Sequence, residues 1–248
     1  MRRLATLLFV LAFSLAFAQL PDLEGRVIRV GSDTTYPPME SINPDTGMPE
    51  GFDVDLVNAL CERLNCSAEF VTTAWDGIFA ALAQGEFDMV VSGVSITPER
   101  DEIVDFSDPY LRVSQVILTR VGEELTLADF QNGGLTLASQ IGTTNADVAI
   151  ELVGRDNVRL FDTFAAAVLA LQNGDADGVV IDGVSAGAYE QQFAGELAVG
   201  ITGVTEGDPL GLVFQEGDPL VDAFNAALAE LEADGTIDEI AAKWGIAQ

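Results

Sequence analysis

Arg100 stands where a helix gains nothing from it. Residues 92–100 read SGVSITPER and follow an apolar run, residues 87–91, that has the composition of a buried strand. Thr97 fits the N-cap place, Pro98 the first helical position, and Glu99 comes next. Arg100 then falls third, where a capping box takes Glu or Gln and where a cation meets the positive end of the helix dipole. Near the C-terminus, TIDE places Glu239 at that same position after Thr236. A guanidinium is a planar fork that grips a carboxylate with two parallel bonds. Around it Ser92, Ser95 and Thr97 carry hydroxyls, and Gly93 lets a ligand approach the backbone. A second donor-rich place is Gly142-Thr143-Thr144, between a strand and a helix, because a helix N-terminus offers free N–H groups to an anion. Hydroxyls in such places ordinarily serve turns and caps; the misplaced arginine tips the reading toward a bound anion.

The opposite charge is provided for as well. Asp182 ends the apolar run GVVID, and Asp33, in GSDTTYPP, ends an earlier strand in the same way. The first would receive an ammonium group; the second makes an outlying acidic place. Tyr36 and Trp75 are expected to stack flat against a side chain held between them. A carboxylate clasp, an ammonium acceptor and an outlying acid together describe a zwitterion with a polar or positive side chain, and a free amino acid fits.

The elements that would position these groups follow from periodicity. FDVDLVNALCERL repeats apolar residues at helical spacing, Leu56, Val57, Leu60, Cys61 and Leu64. RVIRVG before it reads as a strand, followed by strands near residues 68–72 and 87–91 with a helix over residues 75–84 between them. Such alternation implies an α/β sheet. ALAQGEFDMVV, from Ala81, is echoed by ALQNGDADGVV, from Ala170, with Gly85 matching Gly174 and Asp88 matching Asp177. Two similar lobes are expected. A β-prone run, LRVSQVILTR, leads from one to the other, and the chain returns near TGVTEGDPLG to the strand LVF and a helix opened by Asp218 and Pro219 and ended by Gly235. Ligand sites in open α/β sheets lie beyond the C-terminal ends of the strands, where all these loops fall.

Composition narrows the function classes. The chain has 248 residues, 40 acidic and 11 basic side chains, no histidine, and a formal net charge of −29. That charge opposes nucleic acid and anionic lipid as partners. The absence of histidine excludes a Ser-His-Asp triad, a Cys-His pair and a His-based zinc site. No Walker A loop or dinucleotide fingerprint is present, and no cofactor or metal is expected. Asp53-Val54-Asp55 lacks EF-hand spacing, so Asp53 is expected to cap a helix and Asp55 to sit in its first turn. Residues 1–18 combine a basic start, an apolar stretch and an A-x-A pattern, which marks a cleavable export signal cut near Ala18-Gln19. Cys61 and Cys66 are the only cysteines; in an oxidising compartment they could pair, but spacing alone leaves that open.

Taken together, GSDTTYPPME, GFDVDLVNAL, WDGIFAAL, SGVSITPERDEIVDFSDPY, IGTT, ALQNGDADGVVID and LAELEADGTIDEIAAKWG occur in an order and spacing that resembles the polar amino-acid solute-binding proteins of ABC transporters, solute-binding protein family 3. The resemblance covers essentially the whole mature chain. It implies an α/β, two-lobed periplasmic-binding-protein fold (a Venus flytrap) with two hinge crossings. Residues 26–113 and 209–248 would form one lobe, 118–205 the other, and 114–117 and 206–208 the crossings. It also implies that the α-carboxylate clamp falls on Arg100, Ser95 and the backbone at Thr144, beside Thr143. The ammonium acceptor would be Asp182, helped by Ser92, Gly93 and Ser95, and the side-chain pocket Asp33, Tyr36 and Trp75. Gly93 and Asn145 depart from residues found in some relatives, a hydroxyl residue and glutamine. The expected ligand is an L-amino acid, arginine first, then lysine, ornithine or histidine, with glutamine next. The expected protein is a monomeric, non-enzymatic receptor serving an ABC permease, periplasmic, or secreted where the host has no outer membrane. The alternatives are a small-molecule dehydratase on the same scaffold, for which Asp33 and Asp182 are the available acids, or a soluble sensor acting through a membrane partner.

Overall fold

The computed structural model describes residues 20–246, so the export-signal reading of residues 1–18 lies outside the described residues. Two five-stranded sheets share one plan. In the first, Cys66–Thr72, Arg26–Ser32 and Met89–Val90 run parallel, followed by Val213–Phe214 and Asp105–Phe106. In the second, Val158–Phe161, Leu137–Gln140 and Gly178–Asp182 run parallel, followed by Gln115–Arg120 and Leu197–Ile201. In each, the fourth strand is antiparallel to the third and is supplied from beyond the crossing between lobes.

The sequence echo corresponds to equivalent places in these sheets. Gly85 and Gly174 stop their helices at φ 76° and 78°. The Asp88 N–H donates to Arg29 O and its carboxylate accepts from the Arg29 N–H, both at 2.8 Å. Asp177 does the same with Thr136, again at 2.8 Å in both directions. Each aspartate thus pins the start of a third strand against its neighbour, so the matching residues carry matching jobs.

The helix Phe52–Leu64 buries the predicted face, Leu56, Val57, Leu60, Cys61 and Leu64, in a core shared with Phe224, Leu228 and Leu231 of the helix Leu220–Ala233. Each such side chain contributes about 1.5–3 kcal/mol on burial. Cys61 and Cys66 form a disulfide with Cα atoms 4.6 Å apart, tying the end of this helix to the strand Cys66–Thr72 across the left-handed Asn65.

Several local expectations are corrected. LRVSQVILTR is two strands, Leu111–Val113 and Gln115–Arg120. The chain changes partner at Ser114: Val113 pairs with Asp208, Gln115 with Asp182, and the Ser114 carbonyl accepts from Gly183. The outgoing Leu111–Val113 and returning Asp208–Leu210 strands form a separate antiparallel ladder. The helix expected over 75–84 is Ile78–Ala83, because Gly77 turns the chain at φ 90° and frees Trp75 for the cavity described below. Thr236 is not an N-cap; Gly235 takes that place, and the Thr236 hydroxyl donates to Asp234 at 2.6 Å. Asp218 is not the N-cap either; Pro219 takes that place, and the Asp218 carboxylate, one position earlier, accepts from Leu220 N–H at 2.9 Å.

Asp53 does not cap its helix either. Gly51 stands at the cap, and the N–H groups of Phe52 and Asp53 donate to the carbonyls of Pro38 and Met39 at 3.0 and 2.9 Å. With the first turn satisfied by backbone, the Asp53 carboxylate is released to accept from Gly93 N–H at 2.8 Å. This close approach requires glycine at 51: its φ is 142°, and a Cβ there would lie 2.1 Å from Met39 O. Gly51→Ala is expected to lower the unfolding free energy by about 3 kcal/mol, read from urea denaturation; a loss under about 0.5 kcal/mol would show that the segment tolerates the extra carbon.

Candidate functional site

The parallel strands of both sheets end at one cleft. Asp33 follows Arg26–Ser32, Ser92 and Gly93 follow Met89–Val90, Gly142 and Thr143 follow Leu137–Gln140, and Asp182 ends its strand. All ten residues singled out from the sequence, Asp33, Tyr36, Trp75, Ser92, Gly93, Ser95, Arg100, Thr143, Thr144 and Asp182, line a single cavity. Gln140, Asn145 and Phe164 complete it.

Thr97 caps the short helix Pro98–Asp101 and accepts from Arg100 N–H at 3.3 Å. This aims the Arg100 side chain back over residues 92–95, where Nη1 donates to Ser95 O at 2.9 Å, while Nη2 reaches Gly142 O across the cleft at 3.4 Å. The guanidinium carbon lies 5.3 Å from the ring centroids of both Trp75 and Phe79. Among the described residues, Arg100 is the one cation that is not exposed and has no carboxylate within ion-pair distance. Burial pulls its pKa down, while Asp147 and then Asp182 act in the other direction. A half-desolvated guanidinium with donors to spare is an anion receptor.

Opposite it, Thr143 caps the helix Thr144–Val153, accepting from Ala146 N–H at 3.1 Å and donating to Gln140 O at 2.7 Å. Its hydroxyl is therefore committed to structure, and what the helix offers is its open first turn of N–H groups. The hydroxyls of Ser95 and Thr144 approach to 3.4 Å across the cleft.

The acidic groups are buried on the same cavity. Asp182 accepts from the Tyr36 hydroxyl and from Asn145 Nδ2, the latter at 2.8 Å. Burial raises its pKa, which these two hydrogen bonds partly offset. Asp33 accepts from Gln140 Nε2 and from the Thr35 hydroxyl, both at 2.8 Å. The two aromatics do not form a facing pair. Tyr36 packs on Phe164, with centroids 5.2 Å apart, while Trp75 stands by Arg100 and donates to Gly142 O at 3.0 Å. Each polar end of the cavity has thus taken one aromatic as its own support. Gln140 and Phe164 carried no signal of their own, although Gln140 ends the buried strand LASQ as Asp182 ends GVVID.

The profile of the bacterial extracellular solute-binding proteins, family 3, matches residues 28–247. The chain belongs to this family. Among its relatives, the histidine-binding periplasmic protein of Salmonella typhimurium is 32% identical over 98% of this chain and 97% of its own length. The ABC transporter arginine-binding protein 1 of Escherichia coli is 31% identical over 95% and 97%. The solved arginine-, lysine-, histidine-binding protein ArtJ of Geobacillus stearothermophilus superposes with a TM-score of 0.82 at 31% identity, over 88% of this chain and 95% of that one. The family's mixed α/β architecture of two sheet-bearing lobes is the architecture found here.

The buried Asp182 supports a test of the cavity's electrostatics. Its folded pKa is raised, so its contribution to stability is complete below the ordinary aspartate value and is lost as the pH rises through the folded value. Tyr36→Phe removes a donor that favours the ionised form. We expect the variant to lose about 1–3 kcal/mol relative to wild type near neutrality and markedly less in acid. Chemical unfolding across pH 4 to 8 reads this; a loss independent of pH would detach Tyr36 from the charge on Asp182.

Proposed function

We propose that the chain is an extracytoplasmic receptor that closes over a free L-amino acid with a cationic or polar side chain and passes it to a membrane ABC permease. Arginine is the favoured ligand, followed by lysine, ornithine or histidine, then glutamine. One observation carries the reading: a half-buried arginine and a buried aspartate share a single cavity, and among the described residues neither has an oppositely charged partner. An α-carboxylate completes the first together with the Thr144 end of the helix, and an α-ammonium completes the second. Asp33 accepts the cationic side chain, and Trp75 flanks it. Relatives named for binding arginine, lysine or histidine agree with that choice.

Closure follows from where these groups reside. Arg100, Trp75 and Asp33 belong with the first sheet, Thr144, Gln140 and Asp182 with the second, and the Leu111–Val113 and Asp208–Leu210 ladder serves as the hinge. Only the closed form makes every ligand contact, so the ligand shifts the equilibrium toward it. We read the protein as a binding protein rather than an enzyme, because both cavity acids are engaged by neutral donors and neither is set against a proton-transfer partner. A single chain supplies the whole cavity, which agrees with a monomer. Among the described residues no helix is long and apolar enough to cross a membrane.

Thermal shift against the common L-amino acids tests the proposal. At a hundredfold excess over Kd, a ligand stabilises the native state by about 2.7 kcal/mol. Arginine is expected to give the largest shift, Arg100→Ala to abolish every shift, and Asp33→Asn to reorder preferences toward uncharged side chains. Absence of any shift at millimolar concentration would end this reading.

A further inference from the structure

Beneath the cavity, two carboxyl groups with no part in the clamp are buried together. Glu40 is fully buried and accepts from the Ser92 hydroxyl through Oε1, while its Oε2 has no partner among the described residues. Asp53 is also fully buried; Oδ2 accepts from Gly93 N–H and Oδ1 has no partner. The buried Tyr110 hydroxyl beside them makes no hydrogen bond of ordinary length, although it faces Asp53 and helps to lower its pKa. The charged and titratable groups facing the pair are Asp33, Tyr36 and Tyr110, and no cation is among them. Two full negative charges cannot be kept side by side in such a place without a counter-ion; a proton between them satisfies both free oxygens.

We propose that Glu40 and Asp53 share one proton and act as positioning residues that hold Ser92 and Gly93 against the bound amino acid, so that affinity falls when mild acid adds the second proton. The proposal rests on the receptor reading above. Ser92 and Gly93 line the cavity, and each is held from below by one carboxyl of the pair. Burial pushes Asp53 up to about 6 and Glu40 well above the usual carboxylate range, the neighbouring Asp53 adding to the Glu40 shift. Near neutrality Glu40 therefore carries the proton, and ionised Asp53 makes a charge-assisted bond to Gly93. Protonation of Asp53 turns that bond into a neutral one of roughly half the strength. It also removes a negative charge from beneath the cavity.

The two consequences have opposite signs. Both folded pKa values are raised, so the pair's contribution to stability is full below the ordinary carboxylate values and is lost as the pH rises through the folded ones. Ligand affinity instead grows as Asp53 ionises. A general stiffening or loosening of the lobe would move both in one direction.

Calorimetric titration with L-arginine at pH 5 and pH 7.5 provides the test. For wild type, Kd at the lower pH is expected to be about fivefold higher. In Glu40→Gln the amide donates to Asp53 Oδ1 in place of the shared proton, so this ratio stays close to that of wild type. In Asp53→Asn the same ratio flattens, and exchange of the Gly93 amide hydrogen accelerates. A Kd ratio in Asp53→Asn equal to that of wild type overturns the proposal. If no variant binds L-arginine at either pH, the receptor reading fails for that ligand, and unliganded unfolding decides the proton sharing separately. Wild type should then lose thermal stability relative to Glu40→Gln between pH 5 and pH 7.5; parallel curves for the two proteins overturn it.

Discussion

A guanidinium half withdrawn from water, with no counter-ion among the described residues, is the constraint around which this cleft is built. Withdrawing a charge from solvent costs several kcal/mol unless pairing or hydrogen bonds offset it. Here Arg100 has two carbonyl acceptors and two aromatic neighbours, Trp75 and Phe79, but no carboxylate. These supports explain local features that otherwise look arbitrary. The helix after Trp75 begins late because the indole is needed beside the guanidinium. Thr97 caps a helix of only four residues because that helix exists to present Arg100.

The rest of the architecture brings complementary groups to this cation. Two sheets with the same strand order each deliver the C-terminal ends of parallel strands to the cleft. Such ends carry loops and helix N-termini, and therefore exposed N–H groups and short polar side chains. One lobe contributes the guanidinium and Asp33, the other the Thr144 helix end and Asp182. The shared grammar of helix, glycine, aspartate and strand at residues 81–91 and 170–180 is thus the trace of a structural role performed twice.

Contacts across the cleft include polar ones, Asp33 with Gln140, Tyr36 with Asp182, Ser95 with Thr144, and Trp75 and Arg100 with the Gly142 carbonyl, and one aromatic one, Tyr36 on Phe164. Each hydrogen bond has a net worth of about 1 kcal/mol, because water offers a similar bond when the cleft is open. The main apolar cluster holds Phe214 and Phe224 of one lobe together with Phe164 and Ile181 of the other, while Phe130 and Leu137 belong to a cluster within the second lobe alone. A ligand moves such lobes only by binding the closed arrangement more tightly than the open one.

Much of this was legible in the order of residues. Local signals were sufficient for the amphipathic face from Leu56 to Leu64, the Thr97 cap, the strand-to-helix turn at Thr143, and a cleft at strand ends holding Arg100 and Asp182. Each depends on neighbours within a few positions, and the misplaced cation alone pointed to an anion. Other features rest on contacts between residues far apart in the chain. Asp53 looked like a helix cap until the carbonyls of Pro38 and Met39 took that duty and turned its carboxylate to Gly93, forty positions away. Tyr36 and Trp75 looked like partners until Asp182 claimed one and Arg100 the other. Chain order therefore determined which chemistry was available and at which strand ends it would appear. Tertiary structure alone decided which donor met which acceptor, because a buried polar group takes the partner that packing places within reach, whatever the separation in sequence.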